Sequence, residues 1–523
     1  MFRLEYLKVV DNPQLGDLEL SFAEENEIHD LKHLYTSVLI GPNGTGKSYI
    51  LRTVIDLFRE INDLKIHDKR VKYVTGLYLI KYWIDGIKYT YGNIYEESTG
   101  KDKFLGRALP AGREWREKGK QYFFKKNDDL VRVSQIELPG AILASSIMLA
   151  DKFIYLSKPE EFTQYTYLGI RNSNSSAGTR SLIKNTIKFL ANSTEKGFFI
   201  SKLPQILDFL ELQEFLVVNY KGKRKETFFN GDLDKEKFAA FIENYEVKRA
   251  SKIISEDKER PAMFSFRKYK NVLNDENTLN SLINFCNEKS NKSEHDADFS
   301  IKYDLINELQ TLENDYSMLD LLGKLDLISY PELMLKKETE NSYSYEGASS
   351  GEAHFLTSII GILATIKENS LILIDEPEIS LHPNWQMKYM DFISKAFKDF
   401  THCHFVIATH SHFLISDLKG VSSKIMGLRR TNKIEIVDLP KNLDTFGWSA
   451  EEVLYSIFNV RSTRNSFLEY DLNKLVTMVN RNSTEFDEIS RILKKISTLV
   501  LSDNDPLKIL KEKAENYLDQ NNA

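Results

Sequence analysis

Apolar and polar residues alternate at the start of the chain: Phe2, Leu4 and Tyr6, then Leu18, Leu20 and Phe22. That period of two predicts antiparallel strands with one face turned to a core. The stretch "TSVLIGPNGTGKSYILRTVIDLF" breaks the period and reads as a buried strand, a glycine-rich turn and a helix. Further strands are expected in "GLYLIKYWIDGIKYTYGNIYEES", and another in "GAILASSIMLADKF", ending near Ser145 and Ser146. From about Ser157 to Tyr330 the pattern turns mostly helical and polar, as in "TRSLIKNTIKFLANS" and "DKEKFAAFIENYEVKRASKII". Asn172–Gly178 and Lys289–Asp298 read as polar loops. An α/β pattern resumes near Glu332: a helix, the strand "LILID", a helix and the strand "HFVIAT". The tail from about Asp444 reads as helical and charged. No heptad run is sustained enough for a long coiled coil, and no internal repeat is visible.

Composition narrows the class. A chain of 523 residues exceeds one ordinary core and implies several domains, or one domain with a large insertion. Charged residues at 28% and hydrophobic residues at 42% fit a folded protein. A net charge of -6 removes any global electrostatic case for nucleic-acid binding, so such a case must be local. Two cysteines, Cys286 and Cys403, cannot build a disulfide framework and fit a reducing compartment. No apolar run is long enough to span a bilayer, and "MFRLEYLKVV" lacks the build of a signal peptide. The expectation is a cytoplasmic protein without membrane contact.

The chemistry concentrates in three strand ends. "GPNGTGKS" (Gly41, Pro42, Asn43, Gly44, Thr45, Gly46, Lys47, Ser48) matches the P-loop pattern in full, between a strand and a helix. Its glycines let backbone N–H groups face phosphate oxygens, and the following helix adds its positive end. Lys47 is placed to reach the β- and γ-phosphates of ATP, and Ser48 to offer its hydroxyl to Mg²⁺. In "LILIDEPEISLHP", Leu371–Ile374 are apolar on both faces, as a central parallel strand requires. Asp375 then sits at the carboxyl end of the sheet, where it can hold Mg²⁺ through water. Glu376 follows and can orient or deprotonate an attacking water. "HFVIATHSHFLI" ends a third strand at Thr409, where His410 can meet the γ-phosphate or that water. His402, Cys403, His404 and His412 alternate between faces and do not converge on a metal.

A fourth stretch, "SYEGASSGEAHFL", begins a helix about twenty residues before the Asp375 strand. Locally it is a serine-capped helix start. With the P-loop and the acid pair, the whole resembles the ABC-type ATPase family. "ASSGE" is similar to its signature, with Ser349 and Gly351 at matching positions and Ser350 and Glu352 in place of a glycine and the glutamine. That resemblance implies an α/β ABC-ATPase head with a mixed sheet carrying the P-loop and antiparallel N-terminal strands. A large helical insertion and a helical C-terminal extension would complete the chain. The expected division is 1–156 for the first part of the head, 157–330 for the insertion, 331–440 for the second part and 441–523 for a helical region suited to partner docking. It also implies a homodimer, head to head, with each signature reaching the nucleotide on the other copy.

"DEPEISLHPNWQ" has Leu-His-Pro where transporter heads carry Leu-Asp, and resembles the stand-alone RecF-like and OLD-like ATPases. "TFGWSAEEVLYSIFNVRSTRNSFLE", "ILASSIMLADKF" and "YTYLGIRNSNSS" look like the ATPase subunit of the Septu anti-phage system, which also occurs beside some retrons. That resemblance implies an HNH nuclease as partner and, in retron versions, a reverse transcriptase with its RNA–DNA product. The competing readings are a RecF-like DNA-binding repair ATPase of slow turnover and, less favoured, a self-sufficient nuclease. Basic runs at Lys101–Lys126 and Lys221–Lys225 motivate the first. Asp234, Glu246 and Lys248 motivate the second, although their segment reads as a solvated helix. "SDNDP" (Asp503, Asp505) reads as a turn, and Gln135 is a candidate, not securely placed, for the family's Q-loop glutamine.

Overall fold

The computed structural model describes residues 1–24, 33–67, 71–96, 102–104, 122–148, 150–156, 158–171, 179–191, 196–253, 261–290, 299–337, 343–344, 350–379, 381–416, 418–437, 466–481, 483–499 and 506–521, with a few single positions between 439 and 453. Two compact units result, Met1–Trp448 and Ser449–Ala523.

In the first unit the chain runs β1 (Phe2–Asn12), β2 (Gly16–Ser21), β3 (Tyr35–Ile40), α1 (Lys47–His67), β4 (Leu77–Ile84), β5 (Ile87–Gly92), β6 (Ile94–Glu96), β7 (Asp102–Phe104), β8 (Phe123–Lys126), β9 (Asp129–Leu130), β10 (Ile142–Ser146) and β11 (Tyr165–Tyr167). An inserted region follows: α2 (Thr179–Ala191), α3 (Lys196–Phe209), β12 (Leu212–Lys221), α4 (Lys235–Ile253), α5 (Pro261–Asn274), α6 (Glu276–Ser290), β13 (Ser300–Asp304), α7 (Leu309–Lys324), β14 (Glu332–Lys337) and β15 (Tyr343–Ser344). The unit closes with α8 (Ser350–Thr365), β16 (Leu371–Asp375), α9 (Pro383–Ala396), β17 (His404–Thr409), β18 (Ser423–Arg430) and β19 (Ile434–Val437).

The seven-stranded sheet has the order β11-β10-β16-β17-β3-β18-β19 and is parallel except for β19. Its central strands β3, β16 and β17 are buried along their whole length, as their unbroken apolar runs require. A second sheet, β2-β1-β4-β5-β8-β9, is antiparallel and alternates buried with partly exposed positions. One apolar core holds residues of both sheets together with α1, including Phe2, Leu4, Phe58, Ile61, Tyr82 and Val406. The N-terminal alternation and the mixed α/β head are therefore as the sequence predicts.

Buried polar groups stitch the two sheets. The His404 ring accepts from the Leu4 N–H at Nδ1 (2.9 Å) and donates from Nε2 to Ser37 Oγ (2.7 Å), which donates to the Phe22 carbonyl (2.6 Å). Burial and the neighbouring Arg3 hold His404 well below its ordinary pKa, so it serves as a neutral bridge. Both of its nitrogens are thereby used, and Cys403 Sγ donates to the Lys367 carbonyl. On the opposite side of the core, Glu60 of α1 accepts four bonds. Oε1 takes the Tyr73 and Val74 N–H groups, and Oε2 takes the Tyr78 and Tyr91 hydroxyls.

The insertion contains more than helices. β12, β13, β14 and β15 form an antiparallel sheet in the order β13-β12-β14-β15. β12, β13 and β14 are separated by helical stretches, so no local period announces their pairing. α2 and α3 pack on α8, and Phe209 stacks on Phe355 with ring centroids 4.6 Å apart. In the second unit, α10 (Ser466–Asn480), α11 (Phe486–Ser497) and α12 (Pro506–Asn521) enclose a small core of Leu475, Ile489, Ile492 and Ile496. Among the described residues no helix is long and apolar enough to cross a membrane.

Removing the Glu60 acceptor takes the partner from the Tyr73 and Val74 N–H groups and leaves the Tyr78 and Tyr91 hydroxyls only each other. Glu60→Ala is expected to destabilise the first unit by about 3 kcal/mol or more, since each orphaned group costs roughly 1–3 kcal/mol. Guanidinium unfolding of the variant should show the loss; an unchanged midpoint would contradict the role given to this carboxylate.

Candidate functional site

The parallel register brings three strand ends level. Ser146 pairs with Asp375, Asp375 with Ala408, and Thr409 with Ile40, so the P-loop starts where the acid pair and the histidine loop also start. The loop turns on Gly44 and Gly46, whose φ values of 82° and 86° favour glycine. Gly41 has no room for a side chain, because a Cβ there would lie 2.3 Å from the Leu428 carbonyl oxygen. Thr45 Oγ1 braces the turn by donating to the Pro42 carbonyl (2.8 Å), and Arg430 reaches across from β18 to the Gly44 carbonyl (2.8 Å).

Lys47 is buried, and its ammonium donates to the Gly41 and Pro42 carbonyls at 2.7 and 3.2 Å. Burial pushes its pKa down, opposed by Glu376, Glu378 and Asp375. Ser48 Oγ donates to Asp375 Oδ1 at 3.1 Å, while Asp375 Oδ2 is buried without a partner among the described residues. Burial raises the Asp375 pKa to about 7; Glu376 and Asp151 add to the shift, and Ser48 and Lys47 oppose it. A hydroxyl beside a carboxylate with a free buried oxygen is a hard-oxygen donor pair, the chemistry Mg²⁺ takes together with nucleotide phosphates.

Glu376 has a left-handed backbone, φ 50°, and donates its N–H to the Ala408 carbonyl (2.8 Å). For a residue with a Cβ that conformation costs about 1–3 kcal/mol, and such strain clusters at functional sites. The His410 Nδ1 lies 3.6 Å from Glu376 Oε1 and 3.2 Å from Glu378 Oε1, with its ring 40% exposed. The structure thus gathers Lys47, Ser48, Asp375, Glu376 and His410 from three loops.

The remaining sequence candidates fall elsewhere. Ser349 lies outside the described residues, and Ser350 opens α8. Glu352 in the first turn of α8 is buried, and Lys337 of β14 holds its carboxylate at 3.0 Å. Most of Lys101–Lys126 lies outside the described residues, as do Asp503 and Asp505. In the Lys221–Lys225 run, Lys221 pairs with Glu332 and Lys223 with Asp326, and Arg224 lies over the Phe241 ring. Asp234 accepts the Lys237 N–H as a cap of α4, the helix that also carries Glu246 and Lys248. Gln135 accepts from the Arg132 N–H in a short 3₁₀ turn. Among the described residues no cluster of three His, Cys, Asp or Glu side chains is disposed to hold a metal by itself.

Two groups escape a reading of motifs. Glu378, within "DEPE", is buried beside His410. Asp151, after β10, is clamped by Arg171 through two bonds (2.6 and 3.0 Å) and by the Tyr167 hydroxyl (2.6 Å). A second acid three residues after Asp375 was the available signal for Glu378; the Asp151 clamp has none.

In this strand order the P-loop follows β3 and the acids follow β16, with β17 between them. The family described as "AAA domain, putative AbiEii toxin, Type IV TA system" matches residues 199–416, a span that begins beyond the P-loop and includes Asp375, Glu376 and His410. No curated protein matches the chain. Among solved structures, the Smc head domain with an extended coiled coil from Pyrococcus furiosus, bound to the C-terminal domain of ScpA, is 15% identical. The match covers 84% of this chain and 96% of that one, with a TM-score of 0.33. The SMC head domain from Thermotoga maritima is 10% identical over 84% of this chain and 99% of that one, with a TM-score of 0.34. A third, the Smc head domain with coiled coil and joint from Pyrococcus yayanosii, is 12% identical over 84% and 98%, at 0.31.

A buried acid that ionises near 7 makes the nucleotide-free protein sensitive to pH. Between 3.8 and about 7 the folded state keeps a proton on Asp375 that the unfolded state releases, so stability falls as pH rises through that window. Asp375→Asn removes this penalty. Its melting temperature without Mg²⁺ should exceed that of the parent by a margin that grows across the window and is flat above it; a margin independent of pH refutes the assignment.

Proposed function

We propose that the chain binds and hydrolyses ATP between two copies of its head, and that this cycle controls a separate nuclease subunit of the HNH type in anti-phage defence. The observation that carries the ATPase reading is the convergence of the P-loop, the Ser48–Asp375 pair and the Glu376–His410 pair at one edge of the sheet. The P-loop N–H groups and Lys47 bind the phosphates. Ser48 and Asp375 would hold Mg²⁺, which when bound neutralises phosphate charge. Glu376 orients the attacking water and takes its proton, and His410 lies beside it to meet the water or the γ-phosphate. Attack on the γ-phosphorus then breaks the bond to the β-bridging oxygen and yields ADP and phosphate.

The composite site follows from two-fold symmetry, which would give two equivalent nucleotides sandwiched between P-loop and signature. The helix start at Ser350–Glu352 is the element offered to the second copy. Support for a separate nuclease is chemical: Asp234 caps a helix, so the acid spacing first considered for cleavage has a structural use. The resemblance to the Septu ATPase supplies the HNH class and, where a retron is present, a reverse transcriptase with its RNA–DNA product.

Three variants test this reading. Lys47→Ala should abolish ATP binding. Glu376→Gln should keep binding, trap the closed pair of heads and slow hydrolysis by about 10²–10⁴-fold. Ser350→Arg should leave nucleotide binding to the single head nearly unchanged and prevent the ATP-dependent dimer in sedimentation. A Glu376→Gln protein that hydrolyses ATP at the parental rate, or a Ser350→Arg protein that still dimerises, removes the corresponding assignment.

A further inference from the structure

We infer that Glu378 is the positioning residue of this site: it fixes the loop that carries His410 and sets which nitrogen of that ring faces the nucleotide. The inference rests on the ATPase reading for its kinetic consequences, and on the geometry alone for its structural one.

Glu378 is 4% exposed and follows Asp375 by three residues, across Pro377. Its Oε1 accepts from three consecutive residues at the end of β17: Thr409 Oγ1 at 2.7 Å, the His410 N–H at 2.7 Å and the Ser411 N–H at 3.1 Å. One oxygen therefore defines the course of the backbone on both sides of His410. The lattice extends further. Ser411 Oγ donates to Gln386 Oε1 (2.6 Å), and Gln386 Nε2 donates back to the Leu381 carbonyl (2.9 Å) of the loop that holds Glu378. The acid loop and the histidine loop are closed into one ring of hydrogen bonds through α9.

The same oxygen lies 3.2 Å from His410 Nδ1, and Glu376 Oε1 lies 3.6 Å from it. Ionised carboxylate oxygens accept and do not donate, so these two neighbours favour the tautomer that carries its proton on Nδ1. The neutral ring then keeps Nε2 as its acceptor nitrogen. In that tautomer Nε2 accepts a hydrogen bond from water; on gaining a proton it donates to phosphate. A partner that fixes one ring nitrogen decides what the other can do.

Glu378 itself is unsuited to act as the base. Oε1 is already surrounded by donors, and Oε2 is buried with no partner among the described residues. An uncompensated carboxylate oxygen in such a place is costly. Lys47 and the acids Asp375 and Glu376 share its neighbourhood electrostatically. The cost is understandable if the charge is needed to hold the proton on Nδ1. A neutral acceptor would satisfy the Thr409, His410 and Ser411 donors equally well.

The test compares Glu378→Ala and Glu378→Gln with the parent, alone and combined with His410→Ala. Glutamine keeps an oxygen for the three loop donors, so a well-folded variant is available even where alanine destabilises the loop. Glu378→Ala should lower kcat about 10²-fold with KM for ATP little changed, because misplacing a reacting group by about 1 Å costs that much. Glu378→Gln should restore the course of the loop but recover only part of kcat, because it lacks the charge that holds the proton on Nδ1. In the His410→Ala background, Glu378→Ala should have almost no further effect. Nitrogen-15 spectra of the imidazoles, with His410→Ala used to assign the signal, should show a proton on Nδ1 of His410 in the parent and on Nε2 in Glu378→Ala. Independent, additive losses of kcat, or a parent ring protonated on Nε2, overturn the inference. If the parent hydrolyses no ATP, the ATPase reading fails, while the imidazole spectra still decide whether Glu378 sets the ring.

Discussion

The hydrogen bond from Ser48 to Asp375 joins residues separated by 327 positions, and most of the architecture serves to make that bond possible. It forms because β17 lies between β3 and β16 in parallel register, so that the P-loop and the acid pair leave the sheet at the same edge. Parallel pairing of this kind needs both sheet faces covered. α1 and the antiparallel sheet share one core with the parallel strands, and α8 packs on β10. The long insertion intervenes between β11 and β16, yet the pairing of β10 with β16 keeps its register from Ile142 to Ser146.

Covering the sheet creates a problem of its own, because α1 is buried on nearly every side and carries polar residues into the core. Glu60 and His404 solve it by complementary means. Glu60 brings two acceptor oxygens to four donors, two from the antiparallel sheet and two from the segment that leads into it. His404 brings one acceptor and one donor to the seam between β1, β3 and β17. Each is more useful as a connector than an apolar residue would be, since it fixes orientation as well as proximity. The same logic recurs at the site, where Glu378 connects two loops.

What could be read from the chain was whatever is local. The P-loop is a contiguous string between a strand and a helix, and Asp375 and His410 close strands whose apolar runs announce burial. Partnerships across the fold were illegible. Nothing in "DEPE" says that its last acid accepts from Thr409, His410 and Ser411, because the relation depends on the register of β16 against β17. Likewise "SSGE" puts Glu352 where the signature has its glutamine and says nothing of Lys337, which meets its buried carboxylate at 3.0 Å. The antiparallel sheet of the insertion is illegible for the same reason. β12 pairs with β13 and β14 across helices α4 to α7, so each strand lacks a neighbour in sequence.

The Lys337–Glu352 pair gives the insertion a mechanical meaning. Lys337 is the last residue of β14, whose other neighbours are β12 and β15. Glu352 is in the first turn of α8, the helix start that resembles a signature. α2 and α3 of the same insertion pack along α8. The N-terminus of α8 therefore cannot shift without displacing either this ion pair or the insertion's sheet. The orientation of α8 is thus set by the insertion, while the orientation of His410 is set by Glu378. The helix start at Ser350–Glu352 and the loop of His410 are thus each fixed by a residue outside the P-loop.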